Sequence, residues 1–95
     1  MKFFNILDNS NNNSNTFNTI QNVRLDIVGE LEAIIQYENH ITQSNDKTAQ
    51  NTWKHIVEEE QKHVGELFGL LFTLDPQSKK QFELGLKEFK EENNQ

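Results

Sequence analysis

The strongest constraint on the fold is an apolar stripe at helical spacing that two polar residues interrupt. The stripe consists of Trp53, Ile56, Glu60, His63, Leu67, Leu70 and Leu74. All members except Glu60 and His63 are apolar, and they recur every three or four positions, as on one face of an α-helix. An ionised carboxylate on a face that a helix buries is unfavourable unless it has a partner. The pattern therefore predicts a long amphipathic helix that also carries chemistry.

A second stripe, in the first half of the chain, is interrupted in the same way. Its members are Ile20, Val23, Ile27, Glu30, Ile34, Tyr37 and Ile41. Glu30 stands between Ile27 and Ile34, and neither stripe contains an arginine or a lysine that could neutralise it. A divalent cation would satisfy these buried carboxylates better than any side chain of the two stripes. We therefore expect these carboxylates to bind a divalent metal.

The segment boundaries predict an all-α fold. The first helix is expected from Phe17 to Thr42, the second from the Ser44-Asn45-Asp46 turn to Leu74, and a short third from Pro76 to about Glu92. Asp46 is the expected N-cap of the second helix. Asp75 is the expected N-cap of the third helix, with Pro76 at its first position. No segment has the polar and apolar alternation of a strand. Short connections make the two long helices an antiparallel pair.

The length and composition predict one small domain with a tail. The chain has 95 residues, of which 34% are hydrophobic, so a single copy buries a modest core and we expect self-association. Residues 9–15 are almost wholly Asn and Ser, which predicts a flexible tether. We therefore divide the chain into an Asn-rich N-terminal tail, residues 1–15, and a helical domain, residues 16–95.

Composition also excludes several classes of function. The chain has no cysteine, so any metal must be held by nitrogen and oxygen ligands. A net charge of −6 without a clustered basic face argues against a nucleic-acid partner. No apolar run approaches the roughly 18 to 20 residues that span a bilayer, and the start of the chain does not resemble a secretory signal. The expectation is a cytoplasmic protein without a membrane partner.

The candidate ligands amount to half of a di-metal site. Glu60 and His63 are three positions apart, which places both on one side of a helix, and Glu30 comes from the other helix. A four-helix di-metal carboxylate site takes a Glu from each of two helices and a Glu-x-x-His from each of the other two. A twofold homodimer of this chain would supply that set and complete a four-helix arrangement.

The chain resembles the encapsulated ferritins over residues 20–92. The resemblance rests on the run Gly29-Glu30-Leu31-Glu32-Ala33-Ile34-Ile35-Gln36-Tyr37, followed by Glu60-Gln61-Lys62-His63 and by Asp75-Pro76. The resemblance implies a ferritin-like fold completed by dimerisation, with dimers closing into a ring, typically a decamer. It implies that Glu30, Glu60 and His63 bind iron, with Zn²⁺ or Ca²⁺ as possible mimics, and that Tyr37 lies beside the metals. Glu32 matches a metal-binding carboxylate of the family's metal entry site.

The same resemblance implies a ferroxidase of iron storage that uses O₂ and acts inside an encapsulin nanocompartment in the cytoplasm. The shell protein would be its partner. Members of the family carry an apolar, Gly-containing and basic docking peptide at the C-terminus, whereas this chain closes with residues 91–95, Glu-Glu-Asn-Asn-Gln. We therefore expect the shell address, if it lies in this chain, in the apolar residues of the segment 3–7.

Two other functions fit the same residues. The first is a rubrerythrin-like di-iron peroxidase, which keeps the metal site and changes the oxidant. The second is a helical oligomer or cargo adaptor without enzymatic activity, in which polar residues on the stripes set the register of helix pairing. His40 and His55 lie off both stripes and are expected to be exposed.

Overall fold

The computed structural model describes residues 11–93, which form three helices. They are α1 (Asn11–Gln43), α2 (Lys47–Leu74) and α3 (Pro76–Glu92). No strand occurs in this part of the chain, so the predicted all-α class is confirmed. A search of the described helices for a segment of the length and apolarity needed to cross a membrane found none.

The turn before α2 follows the expected capping chemistry, and the turn before α3 follows it in part. The Asp46 side chain accepts a hydrogen bond of 2.8 Å from the backbone N–H of Ala49, which satisfies one of the amide groups at the start of α2. The side-chain amide of Gln50 donates to the carbonyl of Ile41 at 3.1 Å and ties the turn to the end of α1. Asp75 separates α2 from α3, and Pro76 occupies the first position of α3 as predicted. The Asp75 side chain, which was expected to cap α3, makes no capping hydrogen bond to it.

The start of α1 differs from the prediction. The helix begins at Asn11 and not at Phe17, so residues 11–15, which were expected in the tether, continue the helix. Extending an existing helix fixes one residue for each hydrogen bond gained, so a polar segment next to a long helix can join it. The hydroxyl of Thr19 supports this first part by donating to the carbonyl of Asn15 at 2.9 Å. The expected address in residues 3–7 lies outside the described residues.

A thin apolar core joins the first half of α1 to the end of α2. Val23, Ile27 and Leu71 are buried, with exposures of 3%, 7% and 6%. The side chains that pack around them are only partly buried: Ile20, Leu67, Phe68, Phe72 and Leu74. Arg24 contacts Asp75, and Glu30, further along α1, contacts His63, which lies earlier in the sequence than Asp75. The two helices therefore run in opposite directions. The long helices therefore form the expected antiparallel pair.

The apolar stripe predicted for α2 is only partly covered in a single subunit. Val57, one position off the stripe, is buried, whereas Leu70 on the stripe is 45% exposed. Apolar residues occupy more of the circumference of α2 than one neighbouring helix can cover. A single subunit buries one part of this surface and leaves the part that carries His63 and Leu70 open.

Candidate metal centre

Glu30, Glu60 and His63 meet midway along the helix pair. One ligand atom from each lies within 4.8 Å of the others. The Nδ1 atom of His63 is 3.4 Å from Oε2 of Glu30 and 3.3 Å from Oε1 of Glu60. Within residues 11–93 no other three histidine or acidic side chains come together in this way. The structure thus brings together the three residues that the interrupted stripes single out.

The helices place these ligands for simple geometric reasons. Glu60 and His63 are separated by about one turn of α2, so both side chains leave the helix on the same side. Antiparallel packing brings Glu30 of α1 to the same height. The side chains of Glu60 and Glu30 are 18% and 26% exposed, and that of His63 is 48% exposed. The cluster is therefore open on the side that α1 and α2 leave uncovered.

The two carboxylates repel each other when both are ionised. The hydrogen bond with Glu30, followed by burial and by the charge of Glu30, raises the pKa of Glu60 above its ordinary value, and His63 opposes the rise. The basic residues nearby have other partners: Lys62 contacts Glu59 at 2.7 Å, and Arg24 contacts Asp75 at 3.1 Å. A shared proton or a bound cation would relieve the repulsion.

The donor set fits a divalent metal ion with a preference for nitrogen and oxygen. Carboxylate oxygens and an imidazole nitrogen suit Fe²⁺, Mn²⁺ and Zn²⁺, and carboxylates can bridge two such ions. One chain offers three protein ligands, so the coordination of two ions would remain incomplete. The open side of the cluster is where a second subunit could add its own three ligands.

Tyr37 and Glu32, the other two predicted site residues, do not belong to this cluster. Tyr37 lies two turns beyond Glu30 on the same side of α1, partly buried, with its ring against His40 at a centroid distance of 6.2 Å. Glu32 is exposed and lies about 200° around the helix axis from Glu30. Their roles beside the metals and along the metal's path remain predictions.

His40 is partly buried, contrary to the expectation that it is exposed. Its ring packs against Trp53 of α2 at a centroid distance of 5.2 Å. His55 is exposed as expected. His40 lies at the border of the α1 surface that faces α2, so packing by the large Trp53 side chain covers it.

Sequence reasoning missed the contact that connects α1 to the beginning of α3. The guanidinium of Arg24 lies 3.1 Å from Asp75 and 3.1 Å from Ser78, and the Ser78 hydroxyl donates to Asp75 at 2.6 Å. The Ser78 hydrogen bond is the main cause that lowers the pKa of Asp75. Local pattern gave no signal for this contact, because Arg24 and Asp75 are 51 positions apart.

A pair of antiparallel helices with a Glu on one and a Glu-x-x-His on the other defines the class as a ferritin-like half-bundle. No protein-family model matches the chain. The chain does resemble the crystal structure of the encapsulated ferritin domain from Pyrococcus furiosus. The TM-score is 0.78 and the identity 34%, over 80% of this chain and 78% of that one. The chain belongs to the encapsulated ferritin family.

Two relatives agree with this assignment. A ferritin-like-encapsulin shell fusion protein of Pyrococcus furiosus is 38% identical over 69 residues, which cover 73% of this chain. The encapsulin nanocompartment cargo protein EncC of Myxococcus xanthus is 33% identical over 57 residues, or 60% of this chain. The aligned parts span 20% of the first relative and 44% of the second.

Proposed function

We propose that two copies of the chain form a ferroxidase centre that oxidises Fe²⁺ with O₂ and delivers ferric iron to an encapsulin compartment. The observation that carries this proposal is the convergence of Glu30, Glu60 and His63 within 4.8 Å on the open side of the helix pair. A twofold axis through that side would bring six protein ligands around two ferrous ions. Membership in the encapsulated ferritin family supports the same arrangement.

Each ligand would have a separate part in the reaction. The carboxylates of Glu30 and Glu60 would bring negative charge to the two ions, which become more positive as they lose electrons. The two copies of His63 would each supply one nitrogen ligand and orient one ion. Two ferrous substrates held together can supply two electrons to one O₂ molecule, which takes up two protons and leaves as hydrogen peroxide. Proximity is thus the main contribution of the protein.

The place of action would be inside a protein shell. One similar protein is named as a fusion with an encapsulin shell, and another as an encapsulin cargo. A two-subunit bundle has no interior large enough for a mineral, so ferric product would need a surrounding store. We therefore place this chain inside an encapsulin nanocompartment of the cytoplasm, as a ring of dimers with ten subunits in all.

Substitution of the ligands tests the catalytic proposal. Glu60→Ala and His63→Ala should abolish the oxidation of Fe²⁺ by O₂, followed by the ferric absorbance, while circular dichroism remains helical. Glu58→Ala and His55→Ala are matched controls, because both residues are exposed and on the same helix. Oxidation at the wild-type rate by both ligand variants would refute the assignment of these ligands.

The oxidant distinguishes the proposal from a peroxidase. Anaerobic protein loaded with Fe²⁺ is mixed with equal concentrations of O₂ or hydrogen peroxide in a stopped-flow instrument. A ferroxidase should react with O₂ at a rate at least comparable to the rate with peroxide. Oxidation only by peroxide would indicate rubrerythrin-like chemistry, and absence of metal uptake would indicate an adaptor.

Targeting is tested separately from chemistry. The chain, and a version lacking residues 1–10, are co-expressed with an encapsulin shell protein, and the purified shells are analysed for cargo. This deletion ends where α1 begins at Asn11, so it leaves the described helices intact. We expect the deletion to lower loading. Equal loading of the two versions would exclude an address in this segment.

A further inference from the structure

Three aromatic side chains between the metal centre and the α1–α2 turn form a continuous row of ring contacts. The ring of Tyr37 lies against that of His40 at a centroid distance of 6.2 Å, and the ring of His40 lies against that of Trp53 at 5.2 Å. All three side chains are partly buried. The row passes from α1 to α2, because Trp53 belongs to the second helix. We call Tyr37, His40 and Trp53 the aromatic row.

The tyrosine end of the aromatic row faces the metal centre. Tyr37 follows Glu30 by two turns on the same side of α1, and helical side chains lean toward the start of their own helix. The Tyr37 ring therefore leans back toward Glu30, and the carboxylate of Glu60, on the antiparallel α2, leans toward Tyr37. Trp53 precedes Glu60 by two turns and leans away from it. The phenol is thus the end of the row nearer to the metal centre.

The tryptophan end of the aromatic row opens to water at the turn between α1 and α2. A cavity of about 330 Å³ lies there, and it is lined by His40, Gln43, Ser44 and Trp53. Cavities that hold small molecules in proteins have volumes of about 300 to 1,000 Å³. A small molecule from solution can therefore touch Trp53 without entering the metal centre.

The chemistry of the two end residues suits the transfer of single electrons. In a chain without cysteine, the phenol of tyrosine and the indole of tryptophan are the side chains that lose one electron most readily. The chain contains one tyrosine and one tryptophan, and the fold places both in this row. Rings in contact exchange electrons faster than separated rings, because electronic overlap falls steeply with distance. The row therefore connects the metal centre to water through its two oxidisable side chains.

The proposed reaction creates an oxidant that such a row can remove. Hydrogen peroxide is the product of each pair of ferrous ions, and its conversion to water takes two electrons. A site that holds a single Fe²⁺ supplies only one of them, and a hydroxyl radical escapes unless a second electron comes from nearby. The inference that follows therefore rests on the proposed ferroxidase function.

We propose that the aromatic row supplies this second electron and passes the oxidising equivalent to a thiol of low molecular weight at the surface. In the first step the O–O bond of peroxide breaks. Fe²⁺ gives one electron, Tyr37 gives one electron and its phenolic proton, and one further proton from solvent completes two water molecules. In the second step Trp53 gives an electron through His40 and loses its indole proton, while the Tyr37 radical regains a proton. In the third step the thiol gives Trp53 one electron and one proton, and two thiyl radicals join as a disulfide.

The row itself can be tested without iron. Azide radicals, generated by pulse radiolysis of metal-free protein, oxidise the indole of Trp53, and the absorbances of the tryptophan and tyrosine radicals are then followed. We expect the first to decay as the second rises, at a rate independent of protein concentration. His40→Leu should slow this transfer several-fold, whereas the control His55→Leu, at an exposed position, should leave it unchanged. A rate proportional to protein concentration, or equal rates in wild type and His40→Leu, would overturn the relay.

Electron paramagnetic resonance tests the link between the row and the metal centre. Anaerobic protein with less than one Fe²⁺ per pair of subunits is mixed with hydrogen peroxide and frozen. Each aromatic radical has a single source, because the chain has one tyrosine and one tryptophan. Tyr37→Phe should lose the Trp53 radical as well as its own, and Trp53→Phe should keep a tyrosine radical that a thiol quenches several-fold more slowly. An undiminished Trp53 radical in Tyr37→Phe, or no aromatic radical in wild type, would overturn the proposal.

A spin trap measures the hydroxyl radical that escapes in the same reaction. We expect Tyr37→Phe and Trp53→Phe to release several-fold more of it than wild type, although phenylalanine keeps a ring at each position. Phe89→Leu is the matched control, because Phe89 is an exposed aromatic residue outside the row, and it should behave as wild type does. Equal release by wild type and both row variants would overturn the protective role.

The two proposals can fail independently. A protein that oxidises Fe²⁺ with O₂ but forms no Trp53 radical through Tyr37 would support the ferroxidase and overturn the relay. Radical transfer along the row in a protein that reacts with peroxide and not with O₂ would refute the ferroxidase and support the relay. Aromatic radicals of equal yield in wild type and in the ligand variant His63→Ala would show that they arise from iron in solution, which would overturn the link to the metal centre.

Discussion

Replacing Leu71 and its neighbour Leu70 by alanine, one at a time, separates folding from assembly. Leu71 is 6% exposed and packs with Val23 and Ile27, so Leu71→Ala removes a buried side chain and leaves a cavity. Such changes cost about 2 to 4 kcal/mol. For a domain of this size each kcal/mol lowers the melting temperature by about 4 to 8 °C. We expect a fall of roughly 10 to 25 °C in dilute, metal-free protein.

Leu70→Ala should act mainly on association. Leu70 is 45% exposed in one subunit, so its loss should cost the metal-free subunit only about 1 kcal/mol. It lies two turns after His63 on the side where a second subunit would complete the metal centre. If each of two subunits then loses about 1 kcal/mol of contact, the dimer dissociation constant rises roughly 30-fold.

Circular dichroism melts of metal-free protein and sedimentation in the presence of Zn²⁺ measure the two effects. Leu71→Ala should show the large fall in melting temperature, and Leu70→Ala the large rise in dissociation constant. Equal losses of thermal stability in the two variants, or association of Leu70→Ala with wild-type affinity, would contradict these separate roles of Leu71 and Leu70.

Three further predictions concern the turns. Arg24→Gln and Asp75→Asn should show a coupling free energy of about 0.5 to 1 kcal/mol in a double-mutant cycle of denaturant unfolding, as expected for a partly exposed ion pair. Strictly additive effects on the unfolding free energy would show that the two side chains do not stabilise the fold through their contact. Hydrogen bonding by Ser78 lowers the pKa of Asp75 below its ordinary 3.8. The stability that wild type gains over Asp75→Asn should therefore be complete well above pH 3.8 and disappear as the pH falls through the lower pKa of the folded state. A difference in stability that does not change between about pH 2 and 6 would contradict this. Asp46→Ala should lose about 1 kcal/mol in the same unfolding assay through loss of the cap on Ala49, whereas Asn45→Ala should be nearly neutral; equal losses would refute the capping role.

Local chemistry was sufficient to predict most of the helix boundaries. Asp46 and Pro76 act within one turn of their own positions, so the sequence around them carries the whole signal. The start of α1 at Asn11 was missed because asparagine-rich segments have little preference of their own and follow the helix to which they are attached.

The three residues of the candidate site could be singled out in the sequence because polar residues on an apolar stripe are energetically costly and therefore rare. Glu30, Glu60 and His63 broke a periodic pattern, and the antiparallel pairing placed them together. The contact of Arg24 with Asp75 does not interrupt an apolar stripe, so the sequence pattern does not reveal it. The two residues come together only when α1 packs beside the turn between α2 and α3. Partial burial of His40 by Trp53 depends likewise on the register between helices, which periodicity alone does not fix.

The stripe pattern also did not predict which side of α2 packs against α1. Apolar residues cover a wide arc of α2, so several faces could have met α1 with similar burial. Val57 became buried and Leu70 remained 45% exposed. A single subunit therefore leaves part of this apolar pattern exposed.

Anomalous diffraction at the iron absorption edge, from crystals grown with Fe²⁺, tests whether two subunits share a di-iron site. We expect two iron peaks per pair of chains, related by a twofold axis, with Glu30, Glu60 and His63 of both subunits as ligands. Iron bound within one subunit, or peaks that avoid these three residues, would contradict it.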